Sequence, residues 1–502
     1  MGIKSTLIRP FAAWTSAKVD KMRKNAVADQ RKWFEKLISK AANTRFGRDH
    51  DFSNIRQPKD FAARVPARDY EGIRSYVDMI LEGRENILWP GKPKYFAKTS
   101  GTTSGVKYIP ITKDSIPNHI GTARTALFNY VHKQGQADIF DGKVIFLSGS
   151  PTLEEKAGIP LGRLSGIVNH EIPTWLKGNQ LPSYKTNCIE EWEDKVEAIV
   201  EETWQQDMRL ISGIPPWVQM YFEKLLERSG KQNVTALFPN FKLFIYGGVN
   251  YEPYRNSLEQ LMGRRVDSLE TYPASEGFIA FQDEFPSTGL LLNTDSGIWF
   301  EFIPLDQIHN ENPDRLTIGQ VETGKDYVVI INNNAGLWGY NIGDTVRFVS
   351  TDPYRLVVSG RVKHYISAFG EHVIGKEVET ALKETLDQIP AEVVEFTVAP
   401  QVNPPEGGLP YHEWLVEFSR KPANMDAFTR SLNDAMVRQN IYYADLINGK
   451  ILRPLVVKEL PADAFRDYMK TQGKLGGQNK VPRLTNDRKI ADQLNPAANK
   501  SL

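Results

Sequence analysis

The segment "FAKTSGTTSGVKYIPIT" concentrates small hydroxyl residues, two glycines and a lysine between apolar flanks. Every residue from Thr99 to Gly105 is Thr, Ser or Gly, and Lys107 follows closely. Small side chains let backbone N–H groups approach an anion, while hydroxyls and a lysine add donors and positive charge. The spacing differs from a Walker A loop, because Gly101 and Gly105 enclose only three residues and Lys107 precedes Tyr108. We interpret the segment as a cradle for nucleotide phosphates, with a flexible surface turn as the alternative.

Two carboxylates lie in short turn-like segments further along the chain. Glu276 follows Tyr272 in "ETYPASEGFIAFQ", and Asp344 follows Gly343 in "LWGYNIGDTVRFVS". A carboxylate can bind a hard cation or accept hydrogen bonds from hydroxyl groups. Either residue alone is equally compatible with an ordinary turn.

The elements that position these residues alternate between strand and helix patterns. The apolar runs "KVIFLSGS" (143–150) and "FKLFIYGGV" (241–249) predict buried strands that lead into glycine-containing loops. The segments "DKVEAIVEETWQQ" and "EPYRNSLEQLMG" predict helices between strands. This alternation indicates an α/β domain with helix-covered sheets, in which ligands bind at the carboxyl ends of strands.

The last third of the chain changes character. "EHVIGKEVETALKETLDQ" and "MDAFTRSLNDAMVRQN" predict helices, and "EFTVAPQ", "YHEWLVEFS" and "ILRPLVVKEL" predict strands. We expect an N-terminal α/β domain of residues 1–359 and a small, mobile α+β domain of residues 360–502. The linker between them is "VVSGRVKH".

Composition limits the possible partners and compartments. The chain has 502 residues and a formal net charge of +1, so no global field favours nucleic acid. Its single cysteine, Cys188, excludes an internal disulfide framework and fits a reducing compartment. No apolar run approaches the roughly 20 residues of a membrane span. We therefore expect a cytoplasmic protein with no nucleic-acid partner and no membrane span.

The N-terminus is basic, with twelve Lys or Arg and four Asp or Glu in residues 1–50. "DQRKWFEKLISKAA" predicts an amphipathic helix. A transit peptide, a membrane-surface helix and an N-myristoylation pattern in "MGIKST" are alternatives. We favour a helix docked on the body of the protein, because an apolar h-region is absent and acidic residues interrupt the segment.

The three motifs, in this order and spacing, resemble the signature motifs of the adenylate-forming superfamily. The closest resemblance is to the auxin-responsive Gretchen Hagen family of acyl acid–amido synthetases, in the shorter form found in bacteria. "TRFGRDHDF", "VPARDYEGIRSYVDMILEG" and "GGQNKVPRL" also look like that family. The resemblance covers about residues 30 to 490.

This resemblance implies ATP and Mg²⁺ as cofactors and assigns them to residues in three groups. The phosphates would lie against Thr99, Ser100, Gly101, Thr102, Thr103, Ser104 and Lys107. The adenosine would contact backbone at Gly247 and Gly248, Tyr272 and the ribose-binding Asp344. Glu276 would bind Mg²⁺, Arg361 would lie at the domain hinge, and Lys480 would be the mobile lysine that approaches the reacting carboxylate. The chain differs from the superfamily at Ser104, where glycine is common, at Asn341, where arginine is usual, and at Lys363, where aspartate is common.

The family chemistry would be adenylation of a carboxylic acid followed by acyl transfer to an amine, with an amino acid as the expected acceptor. The alternatives are an acyl-CoA synthetase and a catalytically silent nucleotide-binding protein. The ending "QNKVPR" favours the amide product, and the presence of Lys107, Glu276, Asp344 and Lys480 argues against a silent protein.

Overall fold

The computed structural model describes residues 3–102, 105–172, 177–190, 192–248, 251, 254–308, 310–361, 365–371, 373–472 and 481–495. The chain divides into two compact units, a larger one formed mainly by residues before Lys363 and a smaller one formed mainly by those after it. Both units mix helices and strands, so the predicted α/β fold class is confirmed.

Among the described residues before position 363, the helices cover the sheets and are numbered here in chain order. They are α1 Ile3–Ala41, α2 Arg45–Asp49, α3 Pro58–Arg64, α4 Tyr70–Leu81, α5 Thr122–Gln134, α6 Leu164–Glu171, α7 Tyr184–Asn187, α8 Trp192–Thr203, α9 Pro215–Ser229, α10 Val234–Leu237 and α11 Arg255–Met262. The predicted helices before residue 300 correspond to α1, α8 and α11.

The strands of the same region are also numbered in chain order. They are β1 Tyr95–Thr102, β2 Gly105–Ile111, β3 Lys143–Phe146, β4 Glu154–Lys156, β5 Ile159–Gly162, β6 Gln180–Leu181, β7 Met208–Ser212, β8 Leu243–Gly247, β9 Asp267–Ala274, β10 Gly277–Phe281, β11 Leu290–Leu292, β12 Ile298–Pro304, β13 Asp326–Asn333, β14 Tyr340–Thr351 and β15 Tyr354–Arg361. The predicted buried strands at 143–150 and 241–249 correspond to β3 and β8.

One large sheet organises the site. Within the described residues it has eleven strands in the order β12-β13-β14-β15-β11-β10-β9-β8-β7-β3-β6. Neighbouring strands in the half β9-β8-β7-β3-β6 run parallel. Neighbouring strands in the half β12-β13-β14-β15-β11-β10-β9 run antiparallel. Strand β9 is therefore the junction between the two halves.

The glycine- and hydroxyl-rich segment lies in a separate four-stranded sheet of order β2-β1-β5-β4. Its interpretation as a loop is corrected, because β1 continues to Thr102 and β2 begins at Gly105. Thr103 and Ser104 lie outside the described residues. The β-branched residues of the segment favour strand backbone, and this preference prevails over the flexibility of its glycines.

The N-terminal helix α1 is docked on the larger unit, as predicted. Phe34, Leu37 and Ile38 are buried in a core cluster that also contains Trp299 of β12. The helix begins at Ile3, far before the predicted segment. Among the helices of the described residues, none is both long enough and apolar enough to cross a membrane.

The smaller unit contains its own sheets and helices. A three-stranded sheet of order β18-β19-β20 and a β16-β17 pair are present among its described residues. The elements are β16 Tyr365–Ile366, β17 Val373–Ile374, α12 Gly375–Gln388, β18 Glu392–Gln401, β19 Tyr411–Arg420, α13 Met425–Gln439, α14 Ile441–Asn448, β20 Val456–Leu460, α15 Ala464–Thr471 and α16 Lys489–Leu494. The helices and strands predicted for this region are confirmed.

Candidate functional site

Tyr272 of β9 and Asp344 of β14 are in direct contact. The Tyr272 hydroxyl donates a hydrogen bond of 2.6 Å to Asp344 Oδ2, and both residues are 7% exposed. A hydrogen bond to an ionised acceptor is short and strong, so it fixes the orientation of both side chains. The structure therefore joins two residues that the family resemblance assigns to the same nucleoside.

An irregularity in β14 sets the position of Asp344. Asn341 pairs with Ile330 of β13, and Thr345 pairs with Val328, so three residues of β14 face a single residue of β13. Gly343 has a φ of +86°, and its N–H donates a 2.8 Å hydrogen bond to Asn341 Oδ1. Such a bulge bends a strand and re-aims its side chains. Asn341, where the superfamily usually has arginine, thus stabilises the backbone that presents Asp344.

Glu276 occupies the two-residue turn between β9 and β10, where Ala274 pairs with Gly277. Its side chain is half-buried. Asn333 Nδ2 donates a 2.8 Å hydrogen bond to the Glu276 carbonyl oxygen, and the Tyr340 hydroxyl lies 3.4 Å from Glu276 Oε1. The beginning of β14 and the end of β13 thereby hold the turn that carries this carboxylate.

Tyr340 is fully buried beside that carboxylate. Burial, and after it the negative charge of Glu276, raises the pKa of Tyr340 well above its usual value of 10. The phenol therefore stays protonated and can only donate to Glu276 at neutral pH.

Gly247, at the end of β8, permits close approach of β8 to β9. It pairs with Thr271, and an added Cβ would lie 2.3 Å from the Thr271 carbonyl oxygen. Gly248 follows with a φ of +77° and is exposed. The glycine backbone at the end of β8 therefore lies next to the Thr271–Tyr272 stretch of β9, and it carries no side chain that would keep a flat ligand ring away.

The hairpin of β1 and β2 is braced next to Lys107. The Tyr108 N–H donates a 3.0 Å hydrogen bond to the Tyr70 hydroxyl, which satisfies a backbone donor of an edge strand. Burial raises the pKa of Tyr70 to about 12, and Tyr70 in turn contributes to the raised pKa of Tyr340. Tyr70 therefore contacts β2 and is near enough to Tyr340 to affect it electrostatically.

The remaining predicted site residues are only partly placed. Thr99 is half-buried in β1, Lys107 is half-buried in β2, and the backbone of Ser100, Gly101 and Thr102 belongs to β1. Arg361 ends β15, where its backbone pairs in register with Asp344. Thr103, Ser104 and Lys480 lie outside the described residues.

Asn118 is a structural residue beside the candidate site that sequence reasoning missed. Strand β10 bulges between Phe278 and Ala280, and Asn118 Oδ1 accepts a 2.7 Å hydrogen bond from the Phe278 N–H at this point. Its Nδ2 donates a 2.8 Å hydrogen bond to Ser296 Oγ. No local pattern in "DSIPNHIGT" indicates this role, whereas Tyr340 could have been found as the tyrosine of the third motif.

The candidate site could hold a magnesium ion by a single carboxylate, that of Glu276, together with ligands that the protein does not supply. The described residues contain no group of three or more His, Cys, Asp or Glu side chains that could hold a metal ion. Mg²⁺ is commonly held by one or two carboxylates together with substrate phosphates and waters. Glu276 is suited to that arrangement because it is half-buried and Asn333 donates a hydrogen bond to the carbonyl oxygen of its turn.

Family models match three parts of the chain. The GH3 family N-terminal domain matches residues 15–183, the central domain residues 291–361, and the C-terminal domain residues 376–489. Together they account for most of the chain.

Curated relatives and a solved structure agree with these matches. The chain is 22% identical to the jasmonoyl–L-amino acid synthetase GH3.5 of Oryza sativa subsp. japonica, with 93% of each chain covered. It is 21% identical to the indole-3-acetic acid-amido synthetase GH3.4 of Arabidopsis thaliana, with 96% of this chain and 94% of that protein covered. The structure of the AtGH3.15 acyl acid amido synthetase in complex with 2,4-DB superposes with a TM-score of 0.62 at 16% identity, over 97% of this chain and 96% of the other. With family models along its length and a shared fold, this chain belongs to the GH3 family.

Proposed function

We propose that the protein activates a carboxylic acid with ATP and transfers the acyl group to an amine, with an amino acid as the acceptor. The observation that carries this proposal is the convergence of Tyr272, Glu276 and Asp344 around strand β9. This group of residues combines the ring of Tyr272, the turn carboxylate of Glu276 and the buried carboxylate of Asp344, next to exposed glycine backbone.

The adenosine is proposed to lie over the carboxyl end of β8 and against β9. Gly247 and Gly248 offer backbone to the adenine, and Tyr272 packs along the ring. Asp344 accepts hydrogen bonds from the ribose hydroxyls, a role that suits an ionised carboxylate already oriented by Tyr272. Arg361, whose backbone pairs with Asp344, is proposed to lie at the hinge that precedes the smaller domain.

The triphosphate is proposed to lie along the hairpin residues Thr99–Lys107. Backbone N–H groups and hydroxyls donate to the phosphate oxygens, and Lys107 adds charge. Glu276 would hold Mg²⁺, which neutralises charge on the phosphate oxygens when bound. Lys480 is proposed to add a second positive charge near the reacting carboxylate.

The reaction proceeds in two displacements. An oxygen of the acid attacks the α-phosphorus of ATP, the bond to the β-phosphate oxygen breaks, and pyrophosphate leaves. The amine nitrogen then attacks the acyl carbon, the bond to the AMP oxygen breaks, and the nitrogen loses a proton. The acyl-adenylate hydrolyses readily, so the site must exclude water between the steps.

The division of labour between domains follows from this chemistry. We propose that residues 1–359 bind ATP and the acid, while residues 360–502 move to complete the site and bring in Lys480. The supply of ATP and the single cysteine support a cytoplasmic location.

Pyrophosphate release over a panel of carboxylic acids tests the proposal. We expect release with ATP and Mg²⁺ but not with GTP, dependent on one class of acid, and an amide product when amino acids are added. A thioester product with coenzyme A and no amide would make the protein an acyl-CoA synthetase. ATP binding without pyrophosphate release across the panel would favour a silent nucleotide-binding protein.

A further inference from the structure

Helix α1 carries an apolar face near its beginning that the protein body covers only in part, at Phe11, whose ring packs edge-on 4.8 Å from that of Phe128. Leu7 is 72% exposed, Phe11 39% and Trp14 53%. At 3.6 residues per turn these three side chains fall within an arc of about 60°. The rings of Phe11 and Trp14 lie 5.5 Å apart between centroids, so the residues form one continuous patch. A contiguous exposed apolar patch marks an interaction site more often than scattered single residues do.

Lysines extend this face in both directions along the helix. Lys4 precedes the apolar residues, and Lys18 and Lys21 follow them. With these lysines the face spans an arc of about 100° around the helix. All three are exposed, and Lys18 Nζ lies 3.5 Å from the centroid of the Trp14 ring. We name the six residues the Lys4–Lys21 face: Lys4, Leu7, Phe11, Trp14, Lys18 and Lys21.

Acidic residues offset this charge only towards its C-terminal end, where Asp29 is close enough to Lys21 for the two charges to interact. Asp20 is the only Asp or Glu in the first 28 residues, and it lies outside the arc of the face. It forms an ion pair with Lys133 at 3.5 Å. The face is thus apolar in its centre and positive at both ends.

The opposite side of α1 fixes the helix to the body. Ala12 and Val19 are buried in a cluster with Phe128 of α5, and Ser16 Oγ donates a 2.9 Å hydrogen bond to Asn129 Oδ1. The helix is therefore held in place without any contribution from Leu7 or Trp14, which are largely exposed. The fold presents these side chains outward and does not need them in its core.

We propose that the Lys4–Lys21 face docks on an anionic lipid bilayer surface. Tryptophan and leucine enter the boundary between headgroups and acyl chains, while lysines contact anionic headgroups. A second copy of this chain is a poor occupant, because an antiparallel helix pair would bring lysines of one copy against lysines of the other. The proposal goes beyond the proposed amide synthesis, which requires no lipid.

Co-sedimentation of the full chain with vesicles tests this surface. We expect binding to vesicles of phosphatidylglycerol and phosphatidylcholine, weakened by salt, and little binding to phosphatidylcholine alone. The double variant Leu7→Ser with Trp14→Ser should lower the vesicle partition coefficient about tenfold or more. Val27→Ser is the matched control, because Val27 is 52% exposed on the same helix but lies outside the arc; it should stay within about twofold of wild type.

Charge-reversing substitutions on the same face give an independent test of the proposal. Lys18→Glu with Lys21→Glu should abolish the preference for phosphatidylglycerol, while circular dichroism and the urea midpoint show that the variant folds. Absence of wild-type binding to anionic vesicles would overturn the proposal. So would equal binding by the Leu7→Ser, Trp14→Ser variant, or a concentration-dependent dimer that this variant abolishes without vesicles.

Discussion

The hydroxyl of Tyr272 lies 2.6 Å from Asp344 Oδ2 although three strands separate β9 from β14 in the sheet. Four strand spacings would place these strands about 19 Å apart in a flat sheet. Register shifts occur between β9 and β10, between β13 and β14, and twice between β14 and β15. Bulges increase local twist and bend strands, so the antiparallel half curves back over β9. The proposed nucleoside pocket is a product of this curvature.

We expect Tyr272→Phe to weaken ATP binding more than it slows turnover. The variant keeps a ring to pack on adenine but removes the donor that orients Asp344. Loss of a hydrogen bond to a charged group costs about 1.5–3 kcal/mol, so the KM for ATP should rise by roughly ten- to a hundredfold. Steady-state kinetics with varied ATP measure this. A fall in kcat with unchanged KM would contradict the orienting role.

Glu276→Gln should reduce pyrophosphate release strongly while leaving the fold intact. The amide keeps the size of the side chain and removes the charge proposed to hold Mg²⁺. A decrease of about a hundredfold or more is expected, with a higher Mg²⁺ requirement. Glu155→Gln is the control, because Glu155 is an exposed residue of β4. Wild-type release by Glu276→Gln would remove this carboxylate from the mechanism.

Lys480→Ala should separate the two half-reactions. Its ammonium is proposed to stabilise the transition state at the α-phosphorus, so adenylation should slow about a hundredfold with little change in ATP affinity. Amide formation from a supplied acyl-adenylate should continue at the wild-type rate. Lys470→Ala, an exposed lysine of α15, serves as the control. Equal losses in both half-reactions would indicate a different role for Lys480.

Gly247→Ala should destabilise the junction between β8 and β9. The new methyl carbon would lie 2.3 Å from the Thr271 carbonyl oxygen, so one strand must shift. Overpacking of this kind typically costs about 1–3 kcal/mol, and the urea midpoint should fall accordingly. Gly121→Ala adds the same methyl group at helical dihedral angles, 4.0 Å from Pro117 Cβ, and should leave the midpoint unchanged. Equal urea midpoints for the two variants would show that β8 can shift to accommodate the methyl group without loss of stability.

His119 should make the protein less stable in mild acid. Burial lowers the pKa of its imidazole from the usual 6.5 to about 4. The unfolded chain therefore binds this proton more tightly, so the free energy of unfolding falls as pH drops from about 6.5 towards 4, by about 3 kcal/mol in all. His119→Phe should lose this component, which urea unfolding of both proteins at several pH values measures. Parallel pH profiles would show that His119 titrates normally.

The sequence predicted single elements well and the relations between them poorly. Strands β3 and β8 and the helices of the smaller unit follow from apolar periodicity, which is a local property. Gly247, Tyr272, Glu276 and Asp344 were found through the motifs, but their convergence depends on bulges that no short pattern encodes. Asn118 was missed because its partner, the Phe278 N–H, is distant in sequence and is released only by a bulge.

The strand order of the large sheet has a consequence for the protein during translation. Strand β15 lies between β14 and β11, and so joins the block β12-β13-β14 to the rest of the sheet. Until Tyr354–Arg361 has left the ribosome, the nascent chain carries two strand edges whose native partner does not yet exist. Open edges pair readily with other chains. From the synthesis of β14 until that of β15, this polypeptide therefore exposes two open strand edges with which other chains can pair.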